Sequence, residues 1–382
     1  MKSLLEKALN YSLQIIAQNA ETVTYFPERW ENGAWIPSEK DRIPSHWVDG
    51  FWTGLLWLAY AATGDKQFEA AARRWTTELS WLKNTTLTHD LGFIFYLSNV
   101  LGYRITGDES LLPDALTAAE TFTQRYNPRG EYMQAWGRID GPPHERGRIN
   151  VDLMMNMPFF YWASAQTGNL GYGRIASRHA RTSRHTLMRP DGSISQVADF
   201  DPETGVFLRQ ETHQGLSHNT CWSRGLGWAL YGFAEAYRWT GDTLFLQTAR
   251  HTARYAIANA PADKVPFWDY NSLDIPNTYR DSSAAAVIAT GLLELADGET
   301  DVVLAEQWRA EAEAIVLSLW KNYSSRGTAV PAILLHGSRS VPHQLMDHPL
   351  IYGDYYFVEA VLRLLKPDLI ERIFTRTQLI VG

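Results

Sequence analysis

The chain has 382 residues, of which 45% are hydrophobic and 20% charged, so it can bury a sizeable core. Its formal net charge of −7 argues against nucleic acid or an anionic membrane surface as a partner. The single cysteine, Cys221, excludes an internal disulfide and fits a cytoplasmic location. No segment has the continuous apolar stretch of a signal peptide or of a membrane span, so we expect a soluble protein.

A helical hairpin repeats along the chain. The first helix is predicted over residues 3–20, where polar and apolar residues alternate at helical spacing. The turn "TGDKQF" then recurs in related forms, beginning at Thr63, Thr106, Thr167 and Thr240, and more weakly at Ala296. In each strong copy the Gly suits the left-handed residue that ends one helix, and the Asp or Asn can cap the next.

Upstream of each turn, a charged residue precedes an apolar, aromatic-rich helix. These charged residues are Asp49, Asp90, Asp152, Arg224, Asp281 and Asp354. Helices that are apolar on most faces are typical of buried positions, whereas the helices that follow the Gly turns are amphipathic. Six such pairs predict an all-α fold, an (α/α)6 barrel of six inner and six outer helices. We interpret residues 1–382 as a single domain.

The N-termini of the inner helices should meet at one mouth of this barrel. Unpaired N–H groups and the partial positive charge of helix ends favour an anionic ligand there. Two long loops rich in Gly and Pro, at 127–150 and 189–220, run into this mouth and are expected to build a pocket. The aspartates at the mouth are either helix caps, which we favour for Asp49, Asp281 and Asp354, or catalytic acids.

Asp152 is the strongest candidate for a catalytic acid, because "GRINVDLMMNMPFF" surrounds it with apolar residues. Burial would raise the pKa of its carboxyl group and a helix N-terminus would lower it, so the sequence leaves the net shift open. The sequence has no metal-binding signature, phosphate loop or Gly-x-Ser-x-Gly motif, and we predict no cofactor. Carboxylates among 15 tryptophans favour carbohydrate chemistry.

A series of segments in one order resembles the unsaturated glucuronyl hydrolases of glycoside hydrolase family 88 over nearly the whole chain. They include "HWVDGFWTGLLWL", "HDLGF", "GRINVDLMMN", "DFDPETG", "WSRGLGWALYGFA" and "YGDYYFVEAVLRL". The resemblance implies an (α/α)6 barrel and one catalytic domain. It also implies removal, without metal or organic cofactor, of the unsaturated 4,5-uronic acid that polysaccharide lyases leave at the non-reducing end.

The chemistry implied by the resemblance is hydration of a vinyl ether. An aspartic acid protonates C4, and the resulting carboxylate activates a water molecule that adds at C5. The matching motifs imply that Asp152 is this acid and base and that Asp90 is the second catalytic carboxylate. His89 and Gln214 are expected to hydrogen-bond the sugar ring or its carboxylate. Arg224 is expected to pair with that carboxylate or, alternatively, with an aspartate of the mouth.

Further substrate-binding residues are predicted around this centre. Four tryptophans are expected to stack on sugars, namely Trp47, Trp136, Trp222 and Trp228, whereas Trp57 and Trp162 are expected in the core. Gln196 stands where family members can carry His, so a titrating group is absent there. The last loop offers Ser338, Arg339 and Ser340 as donors to a sulfate or a second carboxylate, with a solvated loop charge as the alternative for Arg339.

The expected partner is a lyase-generated di- or oligosaccharide that carries an unsaturated uronic acid, and we expect it to be derived from a glycosaminoglycan. Three alternatives stay open. They are an unsaturated rhamnogalacturonyl hydrolase acting on pectin fragments, a sugar 2-epimerase on the same type of barrel, and a non-catalytic oligosaccharide-binding protein. We expect a monomer or a weak homodimer.

Overall fold

The structure is a computed structural model that describes residues 1–38 and 43–381. Among these residues, six outer helices alternate along the chain with six inner ones. The outer helices are Lys2–Thr22, Lys66–Glu78, Leu112–Thr123, Leu170–Leu187, Thr243–Ala258 and Val302–Ser318. The inner helices are Asp49–Thr63, a helix composed of Leu91–Phe95, a π-turn Tyr96–Val100 and Leu101–Thr106, then Met157–Thr167, Ser223–Thr240, Ser282–Gly298 and Ile351–Leu365.

The inner helices form a closed ring. Each contacts the next along the chain, and the last one, Ile351–Leu365, packs against the first, Asp49–Thr63. The first outer helix, Lys2–Thr22, packs beside both of these and covers the closure. The predicted (α/α)6 barrel is therefore confirmed. Trp57 and Trp162 are 0% and 3% exposed, so their predicted place in the core is confirmed as well.

The repeated turns have the predicted geometry. Gly64, Gly107, Gly168 and Gly241 all end inner helices with φ between 69° and 75°. The following Asp or Asn then accepts a hydrogen bond from the backbone N–H two residues later, as Asp65 does from Gln67. A left-handed residue next to an N-cap reverses the chain in very few residues.

Besides the barrel helices, the structure contains short strands, which the all-α prediction did not include, and further short helices. Two antiparallel pairs join Pro27–Glu31 to Ala34–Pro37 and Tyr126–Asn127 to Tyr132–Met133. A three-stranded antiparallel sheet contains Arg148–Asn150, Val197–Phe200 and Phe207–Glu211. The remaining short helices are Ile43–Val48, Ser80–Asn84, Glu109–Leu111, Pro143–Arg146, Val151–Met155, Leu319–Tyr323, Val341–His343 and Pro367–Ile373. In the described chain, no helix combines the length and apolarity needed to cross a membrane.

Of the three aspartates predicted to be helix caps, only Asp281 is one. Asp281 accepts hydrogen bonds from the backbone N–H groups of Ser283 and Ala284, as an N-cap does. The cap prediction is wrong for Asp49, whose carboxyl group accepts from Ser38 Oγ at 2.6 Å and contacts His46 Nδ1 at 2.8 Å. It is also wrong for Asp354, which lies inside the first turn of its helix and accepts from the N–H groups of residues 333 and 334.

Candidate active site

Asp90 and Asp152 lie at the starts of neighbouring inner helices. Asp90 occupies the N-cap position before Leu91–Phe95, and Asp152 lies in the 3-10 turn Val151–Met155 that leads into Met157–Thr167. The edge strand Arg148–Asn150 fixes the position of this turn. The strand pairs with Val197–Phe200, and the N–H of Val151 continues the pairing by donating to Gln196 O at 2.8 Å.

Asn156 joins the two acidic segments. It is fully buried, its Nδ2 donates to Asp90 Oδ1 at 3.3 Å, and its Oδ1 accepts from the N–H of Phe93 at 2.9 Å. Gly92 permits the approach, because a Cβ at this position would lie 2.6 Å from Cα of Asn156. The side chain of Asn156 and the absence of a side chain at Gly92 therefore fix the distance between the two acidic segments.

Desolvation raises the pKa of both carboxyl groups. Burial raises the pKa of Asp152 to about 6, opposed by the positive charge of Arg224. Burial, together with the charge of Asp152, raises the pKa of Asp90 to about 8, opposed by the hydrogen bond from Asn156. Since two carboxylates so placed resist joint ionisation, the pair holds a proton at neutral pH, mostly on Asp90. The net pKa shift of Asp152, which the sequence left open, is thus upward.

The two acids differ in what surrounds their oxygens. Oδ1 of Asp90 is bonded to Asn156, and its Oδ2 lies 3.5 Å from His89 Nε2. The indole N–H of Trp228 lowers the pKa of the Asp152 carboxyl group as a weak, long-range donor, and Oδ2 of Asp152 has no hydrogen bond of ordinary geometry among the described residues. Asp152 therefore offers an oxygen that can exchange a proton with a ligand.

His89 is held as a neutral ring beside this pair. It is 4% exposed, and burial lowers its pKa well below the usual value. Its Nδ1 accepts from the N–H of Trp136 at 3.2 Å, and its Nε2 lies 3.0 Å from Nδ2 of Asn150. The ring of Trp136 lies between His89 and His213, with 5.6 Å between ring centroids on each side.

Gln196 supports Gln214. Oε1 of Gln196 accepts from the N–H groups of His213 and Gln214, both at 2.7 Å, and its Nε2 donates to Gln214 Oε1 at 2.7 Å. Gln214 in turn donates to the carbonyl of Arg339 at 2.8 Å. Gln196 is only 2% exposed, and these hydrogen bonds order the loop that carries Gln214.

The guanidinium of Arg224 is 1% exposed and already bonded at both terminal nitrogens. Nη1 forms an ion pair with Asp281 and donates to Ser338 O at 2.6 Å, and Nη2 donates to Arg339 O at 2.5 Å. Nε has no partner among the described residues. The structure thus contains the alternative, a mouth aspartate as the partner of Arg224, and leaves Nε–H and one N–H of Nη2 for a ligand.

The four tryptophans predicted to stack on sugars divide into two pairs. Trp47 and Trp136 are partly exposed at the mouth, and Trp47 packs against Tyr352 with 5.0 Å between centroids. Trp222 is 3% exposed, and Arg224 covers its ring at 4.5 Å. Trp228 is fully buried among aromatic rings. Stacking by Trp222 and Trp228 is therefore a wrong prediction, because neither ring presents an open face.

The last loop contributes backbone atoms more than side chains. The hydroxyl of Ser338, which is 1% exposed, donates to Arg280 O at 2.8 Å, so its predicted contact with a sulfate is wrong. The hydroxyl of Ser340 pairs with His343 Nδ1 at 2.6 Å. Arg339 is not a solvated charge, because its Nε lies 2.5 Å from Glu28 Oε1 in an ion pair.

Sequence reasoning missed several supporting residues, among them Asn150, Asn156, Arg125 and Glu28. Asn150 and Asn156 carried a signal, since they are polar positions in the apolar stretch around Asp152. Arg125 and Glu28 belong to no motif, and their neighbours in the sequence do not indicate what they contact. In the described part of the chain, no cluster of three or more His, Cys, Asp or Glu side chains could hold a metal ion.

Known proteins share both the sequence and the fold of this chain. An unsaturated glucuronyl hydrolase of Bacillus sp. (strain GL1) is 39% identical over 326 residues, 83% of this chain and 86% of that protein. An unsaturated chondroitin disaccharide hydrolase of Streptococcus agalactiae serotype III (strain NEM316) is 32% identical over 371 residues, 95% and 92% of the two chains.

The crystal structure of the unsaturated glucuronyl hydrolase from Bacillus sp. GL1, responsible for the degradation of glycosaminoglycan, matches with a TM-score of 0.89. The match has 35% sequence identity and covers 95% of this chain and 97% of that one. The model of the family named Glycosyl Hydrolase Family 88 matches residues 18–356. Because the family model spans residues 18–356 and these relatives cover most of the chain, the chain belongs to glycosyl hydrolase family 88 and is a glycosidase.

Proposed function

We propose that this protein removes the unsaturated 4,5-uronic acid from the non-reducing end of lyase-generated, glycosaminoglycan-derived disaccharides by hydrating the C4=C5 double bond. The proposal depends on one observation above all. Burial raises the pKa of Asp152 to about 6, so part of it is protonated near neutral pH, and its Oδ2 has no hydrogen bond of ordinary geometry among the described residues. Delivery of a proton to carbon requires such an acid.

Asp152 gives its proton to C4, and the positive charge that develops at C5 is shared with the ring oxygen. A water molecule adds to C5 and passes a proton to the Asp152 carboxylate, which restores the acid. The resulting hemiketal opens to a ketone at C5, C1 becomes an aldehyde, and the second sugar leaves with its hydroxyl group. One water molecule is consumed and no proton is gained or lost. A pKa of about 6 suits a group that must act first as acid and then as base near neutral pH.

Asp90 has a separate role in this scheme. With a pKa of about 8 it stays mostly protonated while Asp152 titrates, so it adds little negative charge where the anionic sugar must bind. We assign the contacts to the sugar to His89, which lies beside Asp90, to Trp136 beside His89, and to Gln214 and Trp47. Arg224 acts on the substrate through Nε–H and through the loop that it anchors.

The substrate class and the setting of the enzyme are parts of the same proposal. The relatives named above act on glucuronyl and chondroitin compounds, which supports an unsaturated uronic acid linked to a second sugar. A cytoplasmic location agrees with the single, buried and free Cys221. We propose that the enzyme acts as a monomer or weak homodimer.

The test is incubation with matched lyase-generated disaccharides from chondroitin, heparin and rhamnogalacturonan, with the ultraviolet absorbance of the conjugated double bond followed over time. Loss of absorbance together with release of the second sugar supports the proposal, and the preferred disaccharide identifies the substrate class. The Asp152→Asn variant serves as the matched control. Binding without loss of absorbance would instead indicate an epimerase or a carbohydrate-binding protein, and would overturn the proposal.

A further inference from the structure

Arg125 is a buried cation whose hydrogen bonds all go to backbone carbonyl groups. It is 2% exposed and follows the outer helix Leu112–Thr123. Nε donates to Gln134 O at 2.8 Å, Nη1 to Thr86 O at 2.6 Å, and Nη2 to Trp136 O at 2.5 Å and to Gly137 O at 3.0 Å. Burying a charge without a hydrogen-bonded carboxylate is costly, and here the four carbonyl groups offset part of that cost.

These carbonyls belong to two separate segments of the site. Thr86 lies in the segment that enters His89 and Asp90, and residues 134–137 form the turn that carries Trp136. One guanidinium therefore clamps the segment of the catalytic acid to the segment of the mouth tryptophan. A planar fork with donors on three nitrogens can do this, whereas a point charge cannot.

The backbone at Trp136 is strained. Its φ of 35° lies in the left-handed region, which a bulky side chain rarely adopts. Its carbonyl accepts from both Arg125 Nη2 and Gln134 Nε2, the latter at 3.0 Å. Two donors on one carbonyl fix the orientation of the peptide group that follows Trp136, and such strain persists only where its surroundings enforce it.

The same geometry determines which nitrogen of His89 carries the proton. A backbone N–H can only donate, so the Nδ1 that accepts from Trp136 bears the lone pair and the neutral ring is protonated at Nε2. Nε2–H then faces the Asn150 amide at 3.0 Å and Asp90 Oδ2 at 3.5 Å. The structure places Nδ2 of Asn150 at this distance, so the Nε2–H tautomer requires the oxygen and nitrogen of this amide to exchange places, which brings Oδ1, without a partner among the described residues, to face the proton.

We propose that Arg125 is a positioning residue that holds the strained turn at Trp136 so that its N–H keeps His89 in the Nε2–H tautomer facing Asp90. The inference rests on the proposed hydration reaction for its effect on rate, but the tautomer is a property of the protein without substrate. The charge of Arg125 acts in the same place, because it lowers the pKa of both His89 and Asp90. His89 thus acts as a donor at the site and Arg125 acts through it.

The test uses the full chain with histidine labelled by nitrogen-15, and a His89→Gln variant to assign the His89 signals. Wild type should show Nδ1 unprotonated and Nε2 protonated. In Arg125→Met and Arg125→Lys the signals should move to a mixture of tautomers, and kcat should fall between about 10- and 100-fold with a smaller change in KM. Arg372→Met, at an exposed arginine of the short helix Pro367–Ile373, is the matched control and should leave both properties unchanged.

The tautomer measurement tests the role of Arg125, and the activity measurement tests the proposed reaction. An unchanged His89 tautomer in a folded Arg125→Lys or Arg125→Met protein overturns the inference, whatever the activity. Should Arg125→Met fail to fold, the lysine variant decides, since it keeps the charge and loses only the fork. If wild type proves inactive on unsaturated disaccharides, the proposed reaction fails while the tautomer measurement still decides the role of Arg125.

Discussion

Replacing Asp152 by asparagine should stabilise the protein while abolishing its activity. The pKa of this carboxyl group rises from an ordinary 3.8 to about 6 on folding, chiefly because burial disfavours its charge. A shift of about two units corresponds to about 3 kcal/mol, at about 1.4 kcal/mol per unit. The amide has the same shape and no charge to desolvate, so the variant avoids this destabilisation.

The sign of the effect depends on pH. Below the unfolded pKa of 3.8, Asp152 is protonated in both states and does not affect stability. Between pH 3.8 and about 6 the unfolded state loses this proton while the native state keeps it, so the destabilisation grows with pH and is complete once the pH exceeds the folded value of about 6. The variant should therefore exceed wild type by about 3 kcal/mol at about pH 7.5 and by about half of that at about pH 5. Relief of the repulsion on Asp90 adds an effect of the same sign.

Urea unfolding at the two pH values measures the stability, and loss of double-bond absorbance measures turnover. Asp274→Asn, which changes an aspartate in an exposed loop, is the control and should leave both unchanged. If Asp152→Asn were no more stable than wild type at about pH 7.5, the desolvation argument would be refuted. If it kept more than about a tenth of wild-type turnover, the assignment of Asp152 as the acid would be wrong, since loss of general acid–base catalysis costs about 100-fold or more.

Three further substitutions test the surroundings of the acid. Asp90→Asn should lower kcat by about 100-fold or more, because an asparagine cannot exchange the proton that the Asp90 carboxyl group holds near neutral pH, and near-normal turnover would leave Asp90 a structural role alone. Arg224→Ala should destabilise the fold by about 3–5 kcal/mol in urea unfolding and lower kcat/KM, because it leaves the charge of Asp281 buried, and Arg224→Lys should recover little; unchanged stability would contradict the buried ion pair. Arg339→Ala should leave the ratio of kcat/KM for a sulfated and an unsulfated disaccharide nearly unchanged, because Glu28 already neutralises this guanidinium, whereas a selective loss with the sulfated substrate would restore Arg339 as a sulfate ligand.

The barrel could be predicted from the sequence because the signals that specify it, the turns, caps and apolar helices, each depend on neighbouring residues. A left-handed Gly followed by a capping Asp or Asn reverses the chain wherever it occurs, and the four strong copies did so at the expected residues. The apolar character of every second helix then decides which helices lie inside, since only a surrounded helix can be apolar on most faces. The positions of Asp90 and Asp152 at the starts of inner helices followed from the same pattern. The interpretation of residues 1–382 as one catalytic domain stays a prediction.

Whether a polar or aromatic side chain was available for a ligand could not be predicted in the same way. Trp228 and Trp136 look equally suited to a sugar in the sequence, yet one is enclosed by Phe93 and Tyr356 and the other lies at the mouth. Arg339 finds Glu28 about three hundred residues earlier, a partner that no spacing rule can supply.

The sequence by itself determined the hairpins, their order and the acids at the ends of the inner helices, because turns, caps and helical periodicity depend on neighbouring residues. Only the tertiary structure decided the charge state of those acids and the partners of the cations around them. Desolvation and ion pairing depend on which distant segments surround a group once the ring has closed. For Asp152 these include the charge of Arg224 on another inner helix, and for Asp90 they include Asn156 and the buried Arg125.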